Sequence, residues 1–238
     1  MQNVFLDIGA HFGEALETAL RPVYKIDCIY AIEPSSIAIK KLSKFKDKRL
    51  KIYPIAVSNF SGETSLFSAG AVGGGLFPDK DRHWKNTEIV NVFKFSEWAT
   101  CNLNRSENIF IKINVEGSEL FILQEIVKIY KQLNIKSILL SIDIEKVPSL
   151  SKYKDELYKL IKNFPVSITI REDKEISLAL NKWLTNSGLR SNRSKYLMSD
   201  LLRSYLPYSR NMLRIIKPLF PKKVWLFVAL KIGPNHAR

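Results

Sequence analysis

Apolar residues follow two rhythms along the chain. Short continuous runs at Val4 to Leu6, Ile26 to Ile32, Leu50 to Val57, Phe110 to Ile113, Ser137 to Ile144 and Val166 to Ile170 have the length and branched side chains of buried strands. Spacings of three and four residues mark helices between them. One runs from Glu14 to Leu20, another is started by the Ser35-Ser36 pair, and a third begins at Ser118. In this third helix Leu120, Leu123, Ile126, Val127, Tyr130 and Leu133 share a face, and a fourth helix covers Lys152 to Asn163. Alternation at these lengths predicts an α/β fold, a doubly wound and mostly parallel sheet. Pro54 inside the third run predicts an edge strand or a bulge. Gly62 to Phe67 and Ile89 to Phe95 read as further strands, the second feeding the stretch from Asn108. Val224 to Leu230 (VWLFVAL) is apolar on both faces and reads as the last strand. Residues 171–223 then become a helical basic insertion within a single domain spanning 1–238.

The chemistry concentrates where strands end. Asp7 closes the first strand, and Gly9, Ala10 and Gly13 follow before a helix, so the order is strand, small-residue turn, helix. Small residues let a ligand approach the backbone, and freed N–H groups at a helix start favour an electron-rich or anionic group. The Asp-x-Gly-x-x-x-Gly spacing is not the Gly-x-Gly-x-x-Gly of dinucleotide-binding folds. A carboxylate beside the turn can receive the cationic amino group of S-adenosylmethionine, which therefore fits better than NAD. Glu33 ends the second strand 20 residues after Gly13. That is close to the ~20-residue separation at which an acidic side chain takes ribose hydroxyls in nucleotide-binding units. Asn114, Glu116 and Glu119 gather at the end of a later strand, and Asp143 and Glu145 close the next. The glycine-rich GAVGGG at Gly70 to Gly75 reads as a mobile loop beside the site. For a base that removes a proton, the order of choice is His11 and Glu116, then Asp143, with His83 in the loop a poorer choice.

Charge narrows the partners. The 238 residues carry 37 Lys and Arg against 23 Asp and Glu, a formal net charge of +14. From Arg190 to Arg238 there are 11 basic residues against the single acid Asp200, so ten of the fourteen surplus charges lie there. Interleaved Tyr, Leu and Met suit interfacial helices, and the surplus favours an anionic glycan, nucleic acid or membrane face. Cys28 and Cys101 have no metal-ligand spacing, and no metal is expected. No charged-then-apolar leader is present, and no apolar run approaches the ~20 residues that span a bilayer. The expectation is a cytoplasmic protein with peripheral contact at the inner membrane face. Its oligomeric state is not legible.

In order and separation, DIGAHFG, IEP, IAVSNFSGETSLF and IKINVEGSELFIL resemble the FkbM-type S-adenosylmethionine-dependent methyltransferases, over about Asn3 to Glu145. The resemblance implies a seven-stranded class I methyltransferase fold whose last strand runs antiparallel between strands five and six, a place suited to VWLFVAL. It implies O-methylation of a hydroxyl on a saccharide or glycan-type acceptor, with a lipid-linked carrier suiting a membrane-side location, and S-adenosylhomocysteine as product. Asp7, Gly9 and Gly13 become the methionine-side cradle beside Ala10, Glu33 the ribose clamp, and Glu116 and Gly117 lie at the cofactor and substrate side. Asn114 faces the pocket without serving as base. The family usually reads Asn where this chain has His11, and Asp where it has Asn114. An amide at 114 can hydrogen-bond but cannot take a proton. Rival classes are a nucleic-acid methyltransferase, a NAD-binding oxidoreductase and a non-catalytic relative that binds cofactor or glycan. The first lacks the Asn/Asp-Pro-Pro-Tyr motif of amino-methylating enzymes.

Overall fold

The computed structural model describes residues 1–71, 73–78, 86–144, 147–171 and 175–191. The chain divides into two compact units, Met1–Arg190 and Ser191–Arg238, and the described residues belong almost wholly to the first. His83, Glu145, the basic stretch beyond Ser191 and the run Val224 to Leu230 lie outside the described residues, as does most of the 171–223 insertion.

Six parallel strands form the main sheet: β1 (Asn3–Ile8), β2 (Cys28–Ile32), β3 (Leu50–Tyr53), β7 (Asn108–Ile113), β8 (Ile135–Leu140) and β9 (Ser167–Ile170). Their order is β3-β2-β1-β7-β8-β9. From β1 the chain winds outward through α1 (Glu14–Ala19), β2 and α2 (Ser36–Leu42) to β3 at one edge. It later returns to β7 beside β1 and winds the other way through α4 (Glu119–Ile129), β8 and α5 (Lys154–Lys162) to β9. The reversal between β1 and β7 opens a crevice at the strands' carboxyl ends, where open α/β sheets hold ligands. Val4, Leu6, Ile8, Ile109, Ile111 and Ile113 pack in one large core with Phe95, Trp98, Leu120 and Leu123. On β1 and β7 the alternate positions Phe5 and Phe110 meet Trp183 of α6 (Ile176–Asn186), their ring centroids each 6.3 Å from its own.

Two expectations need correction. The run Leu50 to Val57 is not one strand. Pro54 has no N–H to continue the ladder; β3 ends at Tyr53, and β4 (Ala56–Ser58) joins a separate three-stranded sheet ordered β4-β6-β5, with β5 (Gly62–Leu66) and β6 (Glu88–Lys94). β6 thus leads into α3 (Phe95–Asn102) and not directly into β7. Second, β8 and β9 pair with each other, Ser137 opposite Ser167 through Leu140 opposite Ile170. The hydrogen-bonding edge of β8 is used by β9, which leaves no place for an antiparallel strand between the fifth and sixth.

Candidate functional site

Register aligns the site. Ile32, Ile8, Ile113, Leu140 and Ile170 occupy one row across the sheet. The next residue on each strand is therefore Glu33, Gly9, Asn114, Ser141 or Arg171, side by side along the carboxyl edge. All but Ser141 line a cavity of about 380 Å³. Its wall also includes Ala10, His11, Glu14, Lys112, Glu116 and Ser118, and the glycine loop supplies Gly70, Gly73, Gly74 and Gly75.

Glu33 is buried at the end of β2 and presents both oxygens. Oε2 accepts the His11 N–H at 2.8 Å and Oε1 the Ser35 N–H at 2.9 Å. Burial pushes its carboxyl above the ordinary range, while the Ser35 and His11 N–H bonds pull against that shift. A carboxylate has about four lone-pair sites, so each oxygen retains one for a further donor.

The turn after β1 is stitched to β2. The N–H groups of Gly9 and Ala10 donate to the Ile32 carbonyl at 3.0 and 3.1 Å, that of His11 to Glu33, and that of Gly13 to the Ala10 carbonyl at 2.9 Å. This corrects the picture of freed N–H groups, since those four are spent within the protein. Gly9 has φ +77°, and a Cβ there would stand 1.9 Å from the Asn114 carbonyl oxygen. Its glycine permits β1 and β7 to close at their ends. Gly13 (φ +94°) serves packing, since a Cβ would meet the Phe45 ring at 2.5 Å, and it does not line the cavity.

Asp7 is also placed differently from expectation. Its carboxylate is fully buried and ion-paired at 2.8 Å with Lys112, its register partner on β7. Lys112 Nζ also donates to the Gly9 carbonyl at 2.6 Å. Asp7 is not among the residues that line the cavity, and its charge is met by Lys112 beneath the turn. Among the described wall residues the buried polar atoms without a hydrogen-bond partner are Asn114 Oδ1, His11 Nε2 and Ser118 Oγ.

His11 sits at φ +47°, its ring stacked on Phe12 with centroids 3.9 Å apart. Nδ1 lies 3.0 Å from Glu14 Oε1, and Nε2 has no partner. Burial works to raise the Glu14 carboxyl, but the His11 bond and neighbouring charges leave it below the ordinary value. Glu116 stands at φ +53° in the cavity wall. Asp143 is buried and off that wall, beside Glu119. Glu119 Oε1 accepts the Gly117 N–H at 3.0 Å, Oε2 has no partner, and burial together with the Asp143 charge pushes its carboxyl up to about 7.

Lys112, Glu14 and Arg171 were not singled out from the sequence. A lone cation in an otherwise apolar strand, an acid three residues after His11 and a base directly after a strand were the available signals. Among the described residues no three His, Cys, Asp or Glu side chains group to hold a metal ion, and no helix is long and apolar enough to cross a membrane.

No protein-family model matches the chain, and no curated protein is significantly similar to it. Among solved structures it is similar to the crystal structure of methyltransferase FkbM from Methylobacillus flagellatus KT, with a TM-score of 0.43 and 16% identity. The likeness covers 68% of this chain and 38% of that one, so the matched region is well under half of that protein's length.

Proposed function

We propose that this protein is an S-adenosylmethionine-dependent methyltransferase of the FkbM type, acting on a hydroxyl of a saccharide or glycan-type acceptor. The observation that carries the reading is Glu33, a buried carboxylate at the end of β2, anchored by two backbone N–H groups and turned to a cavity that the Gly9-Ala10 turn opens. Its remaining lone pairs suit a ribose diol. The turn argues against a dinucleotide: a pyrophosphate needs backbone N–H donors, and those of Gly9, Ala10, His11 and Gly13 are already used. The orphaned Asn114 Oδ1 suits an ammonium donor from the methionine end.

When bound, S-adenosylmethionine supplies a methyl group already activated on a sulfonium. The chain's own residues then have to orient the acceptor oxygen and take its proton. Glu14 fixes the His11 ring through Nδ1, which keeps the proton there and leaves Nε2 as the lone pair that accepts the acceptor's proton. Asn114 lines the same wall and contributes hydrogen bonding without proton transfer.

Thermal shift against S-adenosylhomocysteine and NAD tests the cofactor reading, since a ligand of the native state raises apparent stability by mass action. Stabilisation by S-adenosylhomocysteine alone is expected, and stabilisation by NAD alone would overturn it. On an accepted glycan, His11→Gln should lower turnover by roughly 10²–10⁴-fold with cofactor affinity little changed. Unchanged turnover removes His11 as the base.

A further inference from the structure

We propose that Arg171 holds the carboxylate of the cofactor's methionine end and so fixes the end opposite the ribose. This rests on the cofactor reading above. Among the described residues two cations line the cavity, Lys112 and Arg171. Lys112 is 3% exposed and its charge is met by Asp7. Arg171 has no carboxylate partner among the described residues.

Position in the sheet supports the span. Glu33 and Arg171 follow the same register row on β2 and β9, which stand four strand spacings apart. At ~4.8 Å per spacing that is roughly 19 Å along the carboxyl edge. An extended arginine reaching inward by roughly 6 Å and a glutamate by roughly 4 Å, at standard bond lengths, leave roughly 9 Å between their charged ends. About seven bonds separate the ribose ring carbon that bears the 3′-hydroxyl from the methionine carboxyl carbon, again roughly 9 Å when extended. Between them on the row lie Gly9, which exposes backbone, and Asn114, whose amide oxygen is unpartnered. The same wall includes Glu14 at the start of α1 and Ile176 at the start of α6. A guanidinium presents a planar pair of donors that matches a carboxylate bidentately, which an ammonium cannot do. An acidic group on the acceptor has the same chemistry, and the experiment separates the two sources.

Calorimetry with the full chain, titrated with S-adenosylhomocysteine and with 5′-methylthioadenosine, makes the comparison. The second ligand keeps adenine, ribose and sulfur but lacks the amino-acid end. Arg171→Gln should weaken S-adenosylhomocysteine by roughly ten- to a hundredfold and leave 5′-methylthioadenosine unchanged. Arg171→Lys should recover only part of the loss. Unchanged S-adenosylhomocysteine affinity in Arg171→Gln overturns the assignment and leaves the residue to an acidic acceptor. An equal loss for both ligands also overturns it, because the effect would then be structural. Failure of both ligands to bind the wild type removes the cofactor reading itself, which is a separate outcome from either of these.

Discussion

Asp7 and Lys112 place opposite charges in the most buried part of the sheet, 0% and 3% exposed, where an unpaired charge is costly. Lys112→Met should therefore destabilise the protein by about 3–5 kcal/mol in urea denaturation, because it leaves the Asp7 carboxylate buried alone. Adding Asp7→Leu should recover much of that loss, and a neutral single variant would show that the pair is not closed in solution. Glu119 gives a pH-dependent counterpart. Its carboxyl stands at about 7 in the folded chain, above the ordinary 4.5, so the folded state binds a proton more readily than the unfolded one. Stability then falls as pH rises from about 4.5 to about 7, and the full cost is present above that, on the order of 3 kcal/mol. Glu119→Gln keeps an acceptor for the Gly117 N–H and should be more stable than wild type at pH 8, with the gap closing towards pH 5. An equal gap at both pH values would rule out this titration. Of these residues the sequence displayed Glu33 and Gly9 clearly, because strand end and turn spacing are local. The tie between Asp7 and Lys112 was hidden, since it joins residues far apart in the chain through a register that only the folded sheet sets.

The β1–α1 turn joins backbone geometry to ligand access. Gly9 is the position that no other residue fits, by its φ of +77° and by the Asn114 carbonyl against it. Gly9→Ala should cost about 1–3 kcal/mol for the backbone conformation alone. It should also push the turn away from β7 and abolish S-adenosylhomocysteine binding in calorimetry, whereas a variant with wild-type affinity would show that the turn does not shape the site. Alternation of strands and helices was readable because each buried strand is a short apolar run and each helix carries a stripe. Strands β5 and β6 were legible as the runs Gly62 to Phe67 and Ile89 to Phe95, but their joining in a separate small sheet was not, because its third member, the three-residue β4, is cut from a longer apolar run by Pro54. The neighbour of β8 was misjudged for a different reason: strand order across an edge depends on how α5 crosses the sheet, and no local pattern encodes that.

Across the whole first unit, the reversal of winding between β1 and β7 assembles groups from four strands into one row, and Glu33 is the member on which the cofactor reading turns. The resemblance in motif order pointed to the same carboxylate, because the spacing from the first turn survives in the linear sequence. Arg171 escaped notice because its place beside the site comes from the sixth strand of the sheet and not from any motif. Isothermal calorimetry with S-adenosylhomocysteine, comparing wild type with Glu33→Gln, is the decisive measurement, since the glutamine retains an acceptor for one backbone N–H and protects the fold. Saturable binding by the wild type and a loss on the order of 1.5–3 kcal/mol in the variant are expected for a charged hydrogen bond to the ribose. Equal affinity in a folded variant, or no binding by the wild type, would contradict the proposal.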